Sequence, residues 1–313
     1  MKSTFIALVH NLNISSDLGV GDKIRGEMRI TNNRAVISSL LSADYARLIG
    51  EMEIASLLAG HPVIYSVQDI PDGMTPLQFL VSKLYEIQSF ILATWLFFDN
   101  SINVELGFLL YLERGNSTVS SNFIAHLNSN SRGKDVVTEI SRDQLREIRT
   151  LHRSVIGMPD HPFSLPTSQL TSEHPRLPRA LYLINSARGE SDLAMRVASY
   201  CTAFETLFAT SQSELSHQLA ERIACFLYKN ANERLLIYRK LKNAYNLRSK
   251  VVHGATIKAN KIDEVTEASE FCDTTLREII YRILTEEGVR PMFDKNPEAF
   301  DEYMLMTIFS SAP

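Results

Sequence analysis

The chain has 313 residues, 45% of them hydrophobic and 22% charged, with a formal net charge of -4. That length accommodates two domains, and that composition is ordinary for a globular protein, which excludes a disordered or low-complexity chain. The net charge says little about partners, because the charges are unevenly distributed along the sequence.

Met1 to His10 carries one basic residue and an apolar run shorter than a signal-peptide core, so it reads as a buried strand. Gly19-Val20-Gly21 lacks the third glycine and the strand-to-helix setting of a dinucleotide loop and reads as a turn. Ile24, Met28 and Ile30 alternate with Lys23, Arg25, Glu27 and Arg29, the pattern of a half-buried strand. Ile37, Leu40, Leu41, Leu48 and Ile49 repeat at helical spacing, as do Leu77, Leu80, Val81, Leu84, Ile91, Trp95 and Phe98. The most apolar stretch, Phe90 to Phe98, ends at Asp99 and Asn100, far short of the roughly 20 residues that span a bilayer. Pro62 to Val67 and Asp135 to Ile140 read as short strands, and Leu145, Ile148, His152 and Val155 mark another helix. Residues 1–157 are therefore expected to form an α+β domain, whose role the sequence does not reveal.

Five of the eleven prolines lie between Gly157 and Pro178. Proline removes backbone donors and disfavours helix before it, so residues 158–176 read as an extended linker. His152, His161 and His174 fit no metal-ligand spacing, and no H-E-x-x-H, paired-Cys or Walker pattern occurs, so neither a metal nor a cofactor is implied. Beyond the linker the pattern is helical throughout. Leu193, Val197, Cys201, Phe204, Leu207 and Phe208 form one stripe, Leu215, Leu219, Ile223, Phe226 and Leu227 a second, and Val265, Ala268, Cys272, Leu276, Ile279, Ile280 and Ile283 a third. Such stripes need one another, which predicts a helical bundle over 177–290, followed by a tail over 291–313. The fold class expected is mainly α: a C-terminal α-helical bundle preceded by an α+β domain. Cys201, Cys225 and Cys272 sit singly among apolar residues and read as core positions of a soluble, cytoplasmic protein.

The charge is concentrated in this bundle. Arg222 to Lys261 holds ten Lys/Arg against Glu233, a net of +9, whereas Ile262 to Glu287 has a net of -6. Two outcomes follow: the acidic helix neutralises the basic one, or the basic segment presents a face to phosphates. Leu241, Tyr245, Arg248 and Val252 fall at i, i+4, i+7 and i+11, which sets Arg248 in a helical seam. A guanidinium there needs a partner, and Glu205, on the flank of the first stripe, is the internal one. Arg248 stands five residues before His253, where the helix meets Gly254. A permanently charged phosphate clamp beside a side chain that exchanges protons near neutral pH is the minimum equipment for cutting RNA without a metal. Residues five apart are about 140° apart on a helix, so one subunit makes a loose site and two copies make a closer one. The same residues have a purely structural reading, in which Arg248, Lys250 and His253 complement the negative helix end and Gly254 caps it.

Ala203-Phe204-Glu205-Thr206-Leu207-Phe208, Glu214-Leu215 through Leu219-Ala220-Glu221-Arg222-Ile223-Ala224, Tyr245, and Arg248-Ser249-Lys250-Val251-Val252-His253-Gly254 together resemble the ApeA-like branch of the HEPN domains over about residues 177–287. The resemblance implies a dimerising helical bundle and, in many members, a metal-independent endoribonuclease of antiviral or toxin systems, here with the possibility of a phage-derived trigger. It carries Arg248 and His253 over as the catalytic motif. Ser249 stands where the superfamily commonly has Asn, Asp or His, and Ala255 where many antitoxin-paired members have Tyr, which favours a stand-alone effector. Glu205, Tyr245 and Ser249 are then supporting residues, and Lys250, Lys242 and Arg222 gather the RNA backbone. The rival expectation is a non-catalytic RNA- or nucleotide-binding dimerisation module.

Overall fold

The structure, a computed structural model, describes residues 1–124, 127–154, 170–171, 174–211 and 213–310. These fall into two compact units, one of Met1–Asn128 continuing from Asp135, the other of Ser129–Lys134 and the helices that begin at Arg176. The protein is mainly α, with an antiparallel sheet in the first unit. Among the described residues no helix is long and apolar enough to cross a membrane.

The first unit is built on six antiparallel strands in the order β3-β4-β5-β1-β6-β7, with β1 Lys2–Leu8, β3 Asp22–Arg25, β4 Met28–Thr31, β5 Val63–Asp69, β6 Leu106–Glu113 and β7 Asn116–Phe123. Strands β2 Leu12–Ile14 and β8 Thr138–Ile140 form a separate parallel pair. Side chains alternate across the sheet with period two, and both faces are covered. Phe5, Ala7, Ile64, Leu109 and Tyr111 meet α4 (Pro76–Phe97) and α5 (Arg142–Ser154), while Ile6, Val63, Tyr65, Phe108 and Leu110 meet α1 (Arg34–Leu40), α2 (Ala43–Ile49) and α3 (Glu51–Leu57). Central strands buried on both sides are apolar runs rather than alternations, which explains the sequence of β1 and β6.

Helix α4 starts at a capping box, Thr75 with Gln78, and has Pro76 in its first turn. It is buried nearly all round, and each of its enclosed Leu, Ile and Phe side chains contributes about 1.5–3 kcal/mol. Its close approach needs Gly107, where a Cβ would lie 2.9 Å from Leu84 Cδ2 and 3.0 Å from Phe5. His152 is a core histidine, with Nε2 2.7 Å from the Ser89 hydroxyl.

Three sequence expectations change here. The single strand read over residues 23–30 is a hairpin, because Gly26 takes φ +51 and turns the chain between β3 and β4. The β6–β7 hairpin was not anticipated at all, although Arg114 and Gly115, both at positive φ, make the tight turn that matches strand twist. The helix seam read over 37–49 is two short helices, the second starting at the Ser42 cap. Val155 and most of the expected linker lie outside the described residues.

The second unit consists of α6 (Arg176–Arg188), α7 (Leu193–Phe208), α8 (Leu215–Leu227), α9 (Ala231–Val252), α10 (Ile262–Thr285), α11 (Arg290–Phe293) and α12 (Pro297–Phe309). The three sequence stripes supply its core: Val197, Cys201 and Phe204 from α7, Leu219 and Ile223 from α8, and Cys272, Leu276, Ile279 and Ile283 from α10 are all essentially inaccessible, whereas Leu193, Leu215 and Ala268, near the helix starts, are only half-buried. Helix α6 begins at Arg176, inside the expected linker, with Pro178 in its first turn, where a missing N–H is harmless.

The expected tail over 291–313 is corrected for its described part. Phe293, Phe300 and Met304 are buried, and Phe293 stacks edge-on against Phe208 and Phe226. The i, i+4 pair Phe300/Met304 on a 13-residue helix is too brief a stripe to stand out in the sequence, yet it closes one end of the core. Segment Ser129–Lys134 also belongs to this unit. Buried Arg196 donates to the Asn130 carbonyl and to Ser129 Oγ, and Ser269 donates to the Ser131 carbonyl at 2.6 Å.

Candidate functional site

Helix α9 positions the candidate residues. Asn230 caps its start by accepting from the backbone N–H groups of Asn232 and Glu233. Its end is a Schellman turn: Gly254 at φ +74 donates to the Val251 carbonyl at 3.0 Å, and Ala255 donates to the Lys250 carbonyl at 2.9 Å. This places His253 at the C-cap with its imidazole in solvent, and the ring has no hydrogen-bond partner among the described residues. Ser249 is exposed and accepts the His253 backbone N–H through its carbonyl.

Burial along the seam decreases towards this end. Leu241 is inaccessible and Tyr245 buried, the Arg248 side chain is 29% exposed, and Val252 is 53% exposed. The seam thus leaves the core one turn before the helix stops. Arg248 Nη2 lies 3.4 Å from Glu205 Oε1, the partner its seam position called for. The same oxygen accepts the Tyr245 hydroxyl at 3.1 Å, and that hydroxyl also lies 3.1 Å from the Cys201 carbonyl. Burial foremost, reinforced by the neighbouring Cys201 and Glu205, pushes the Tyr245 phenol far above its ordinary range, so it stays a neutral donor. Arg248 Nε is enclosed without a partner, and the guanidinium makes no well-formed hydrogen bond among the described residues. Arg248 is therefore held loosely, with donors unused.

The structure separates the other candidates. Lys242 lies on α9 with Nζ 2.8 Å from Ser216 Oγ, beside a contact between His217 and Tyr238. Lys250 is exposed on the helix's last turn. Arg222, grouped by sequence with the RNA-facing cations, is corrected: it is 4% exposed, donates to the Phe208 carbonyl at 2.8 Å and to Thr210 Oγ1 at 3.0 Å, and pairs with Asp301 on α12. Its charge is consumed inside the protein, and Arg176, stacked 4.5 Å over the Phe300 ring, completes the same anchor.

Basic α9 and acidic α10 do not neutralise one another through ion pairs. Among the described residues the only ion pair made by α9 is Arg248–Glu205, whereas the α10 acids pair locally or with Arg132. Between the two helices and their connecting loop lies a cleft of about 1120 Å³. Lys240, Lys250, Lys258, Glu267 and Phe271 line it, and Arg248 and His253 do not. Sequence reasoning missed this cleft; the i, i+4, i+7 face Lys240, Ala244, Leu247 on α9 was the available signal. Arg248 points from a face of α9 about 100° away. No group of His, Cys, Asp and Glu suited to hold a metal occurs among the described residues.

Compared with family models, curated proteins and solved structures, the chain matches none.

Proposed function

We propose that the protein is a metal-independent endoribonuclease of the HEPN type, acting as a homodimer in toxin-like or antiphage RNA cleavage. The observation that carries this reading is the state of Arg248: one 3.4 Å ion pair, unused donors and partial exposure, five residues from an unpartnered imidazole. Arg222, by contrast, is 4% exposed and has both terminal nitrogens engaged, by a carbonyl, a hydroxyl and the Asp301 carboxylate.

In the proposed reaction an RNA 2′-hydroxyl attacks its own phosphate. His253 takes the hydroxyl proton or delivers one to the leaving 5′-oxygen, because imidazole changes charge near neutral pH. Arg248 holds the non-bridging oxygens as their charge increases. Glu205 limits the positions the guanidinium can take, and Tyr245, fixed as a donor, orients that carboxylate. The 140° between Arg248 and His253 is closed by a second copy, whose matching turn packs against exposed Val252 and brings its own pair to the shared phosphate.

One observation favours the second reading, a non-catalytic RNA- or nucleotide-binding module: the Tyr245–Glu205–Arg248 contacts tie α9 to α7 without any ligand. Incubation of purified protein with RNA in EDTA separates the two. The proposal expects products with 2′,3′-cyclic phosphate and 5′-hydroxyl ends, DNA left intact, and loss of cutting by at least about 100-fold in His253→Ala with helical content unchanged. A requirement for a divalent metal, or undiminished cutting by His253→Ala, overturns it in favour of the binding module.

A further inference from the structure

The α9–α10 cleft begins at the turn that presents His253. Lys250 and Ala255, the two ends of the 2.9 Å Schellman hydrogen bond, both line it. A chain passing His253 therefore meets this cleft within a residue or two. Its walls divide by chemistry. Lys250 and Lys258 have no carboxylate partner among the described residues, and Lys240 has only the Phe271 ring, 5.4 Å from its Nζ. On the α10 side Glu264 is taken by Lys261 at 2.8 Å and Glu270 by Arg132 at 2.9 Å. Glu267 is left without a cation, one helical turn from half-buried Phe271 and on the same side of α10. The cleft thus offers free cations, an aromatic ring and one free carboxylate.

A simple polyanion does not use that set, because Glu267 repels it. A nucleotide within a strand does: its phosphates match the lysines, its base has an apolar face for Phe271, and its edge carries N–H donors for a carboxylate. Guanine fits best, since N1–H and the 2-amino group stand side by side and engage both oxygens of one carboxylate. We infer that this cleft is a guanine-preferring nucleobase subsite for the RNA strand next to the scissile phosphate. Glu267 is its specificity-determining residue, Phe271 its stacking platform, and Lys240, Lys250 and Lys258 its backbone contacts. The inference rests on the ribonuclease reading for its location beside a cleaved bond, while the recognition itself rests on the cleft.

The test is fluorescence anisotropy of the full-length protein with labelled 2′-O-methyl RNA, whose blocked hydroxyl prevents cutting and isolates binding from chemistry. A uridine oligomer with one guanosine should bind about tenfold more tightly than all-uridine, and an inosine in its place, lacking the 2-amino group, should fall between. Glu267→Gln should erase that preference, with all-uridine bound at least as tightly as before because the carboxylate's repulsion is gone. Phe271→Leu, which keeps an apolar side chain, should weaken the guanosine oligomer, and Lys250→Glu with Lys258→Glu should weaken every oligomer alike. Equal binding of all oligomers, a guanosine preference that survives Glu267→Gln, or full competition by inorganic tripolyphosphate overturns the subsite. Cleavage of unmodified RNA is scored separately. Preference without cleavage leaves the subsite and removes the ribonuclease; cleavage without preference does the reverse.

Discussion

Arg222 and Arg248 lie in the same helical unit, each beside a carboxylate, and they differ in what surrounds them. Arg222 is enclosed by the Phe208–Thr210 turn and α12, and its fork reaches a carbonyl, a hydroxyl and Asp301. Arg248 sits where α9 leaves the core, with a single 3.4 Å contact to Glu205 and an Nε that nothing satisfies. Arg222, buried with both terminal nitrogens engaged, is part of the architecture. Arg248, partly exposed and held by one long ion pair, has donors that a ligand can reach.

This contrast predicts opposite phenotypes. The largest effect is at Arg248: Arg248→Ala should lower RNA cleavage by at least about 100-fold while changing stability by about 1 kcal/mol or less, read by product gels and thermal melts on one preparation. Arg248→Lys should also be impaired, because an ammonium lacks the two-pronged hold on phosphate. Next comes Arg222→Ala, expected to cost about 2–3 kcal/mol of stability by denaturant unfolding, with cleavage per folded molecule unchanged. If the two substitutions gave the same phenotype, the contrast would carry no functional meaning. A smaller effect concerns assembly: Val252→Glu should shift a dimer towards monomer in light scattering by about tenfold in dissociation constant and reduce cleavage in step. A fully active monomer would break the shared-site argument.

The smallest effect is in acid. The Thr210 hydroxyl first, and then Arg222, hold the Asp301 carboxyl below its ordinary range. A depressed folded-state value means the contribution is complete above the unfolded pKa of about 4 and is lost as pH falls through the lower folded value. Melting temperatures measured through that window should therefore fall in the wild type and fall less in Asp301→Asn. An identical acid response would detach the α12 anchor from this carboxylate.

The Arg222 reading shows how far sequence reasoning reaches. Charge density along Arg222–Lys261 was visible, but which cations face solvent was not, because Asp301 lies 79 residues away and only packing joins them. The Arg248–Glu205 contact was legible, since the seam position of Arg248 demanded a partner and the flank of the α7 stripe offered one. Tyr245 was legible as a seam and motif residue; that its hydroxyl meets Glu205 depends on how α9 rolls against α7. The cleft was legible only as one wall, the Lys240, Ala244, Leu247 face of α9, because the separation of that wall from α10 is encoded by no spacing.

By itself the sequence determined the elements whose signal is local: the stripes of α7, α8 and α10, the glycine stop after His253, the buried β1 strand and the long apolar α4. Periodicity and capping act over a few residues, so they can be read from a few residues. Only the tertiary structure decided that β6 and β7 complete the sheet, that residues 129–134 join the helical unit and that 293–304 seal its core. It also decided which arginine is buried and which is offered to solvent. Those outcomes depend on groups distant in sequence competing for the same interior space, where burying a charge is costly unless other groups pair with it.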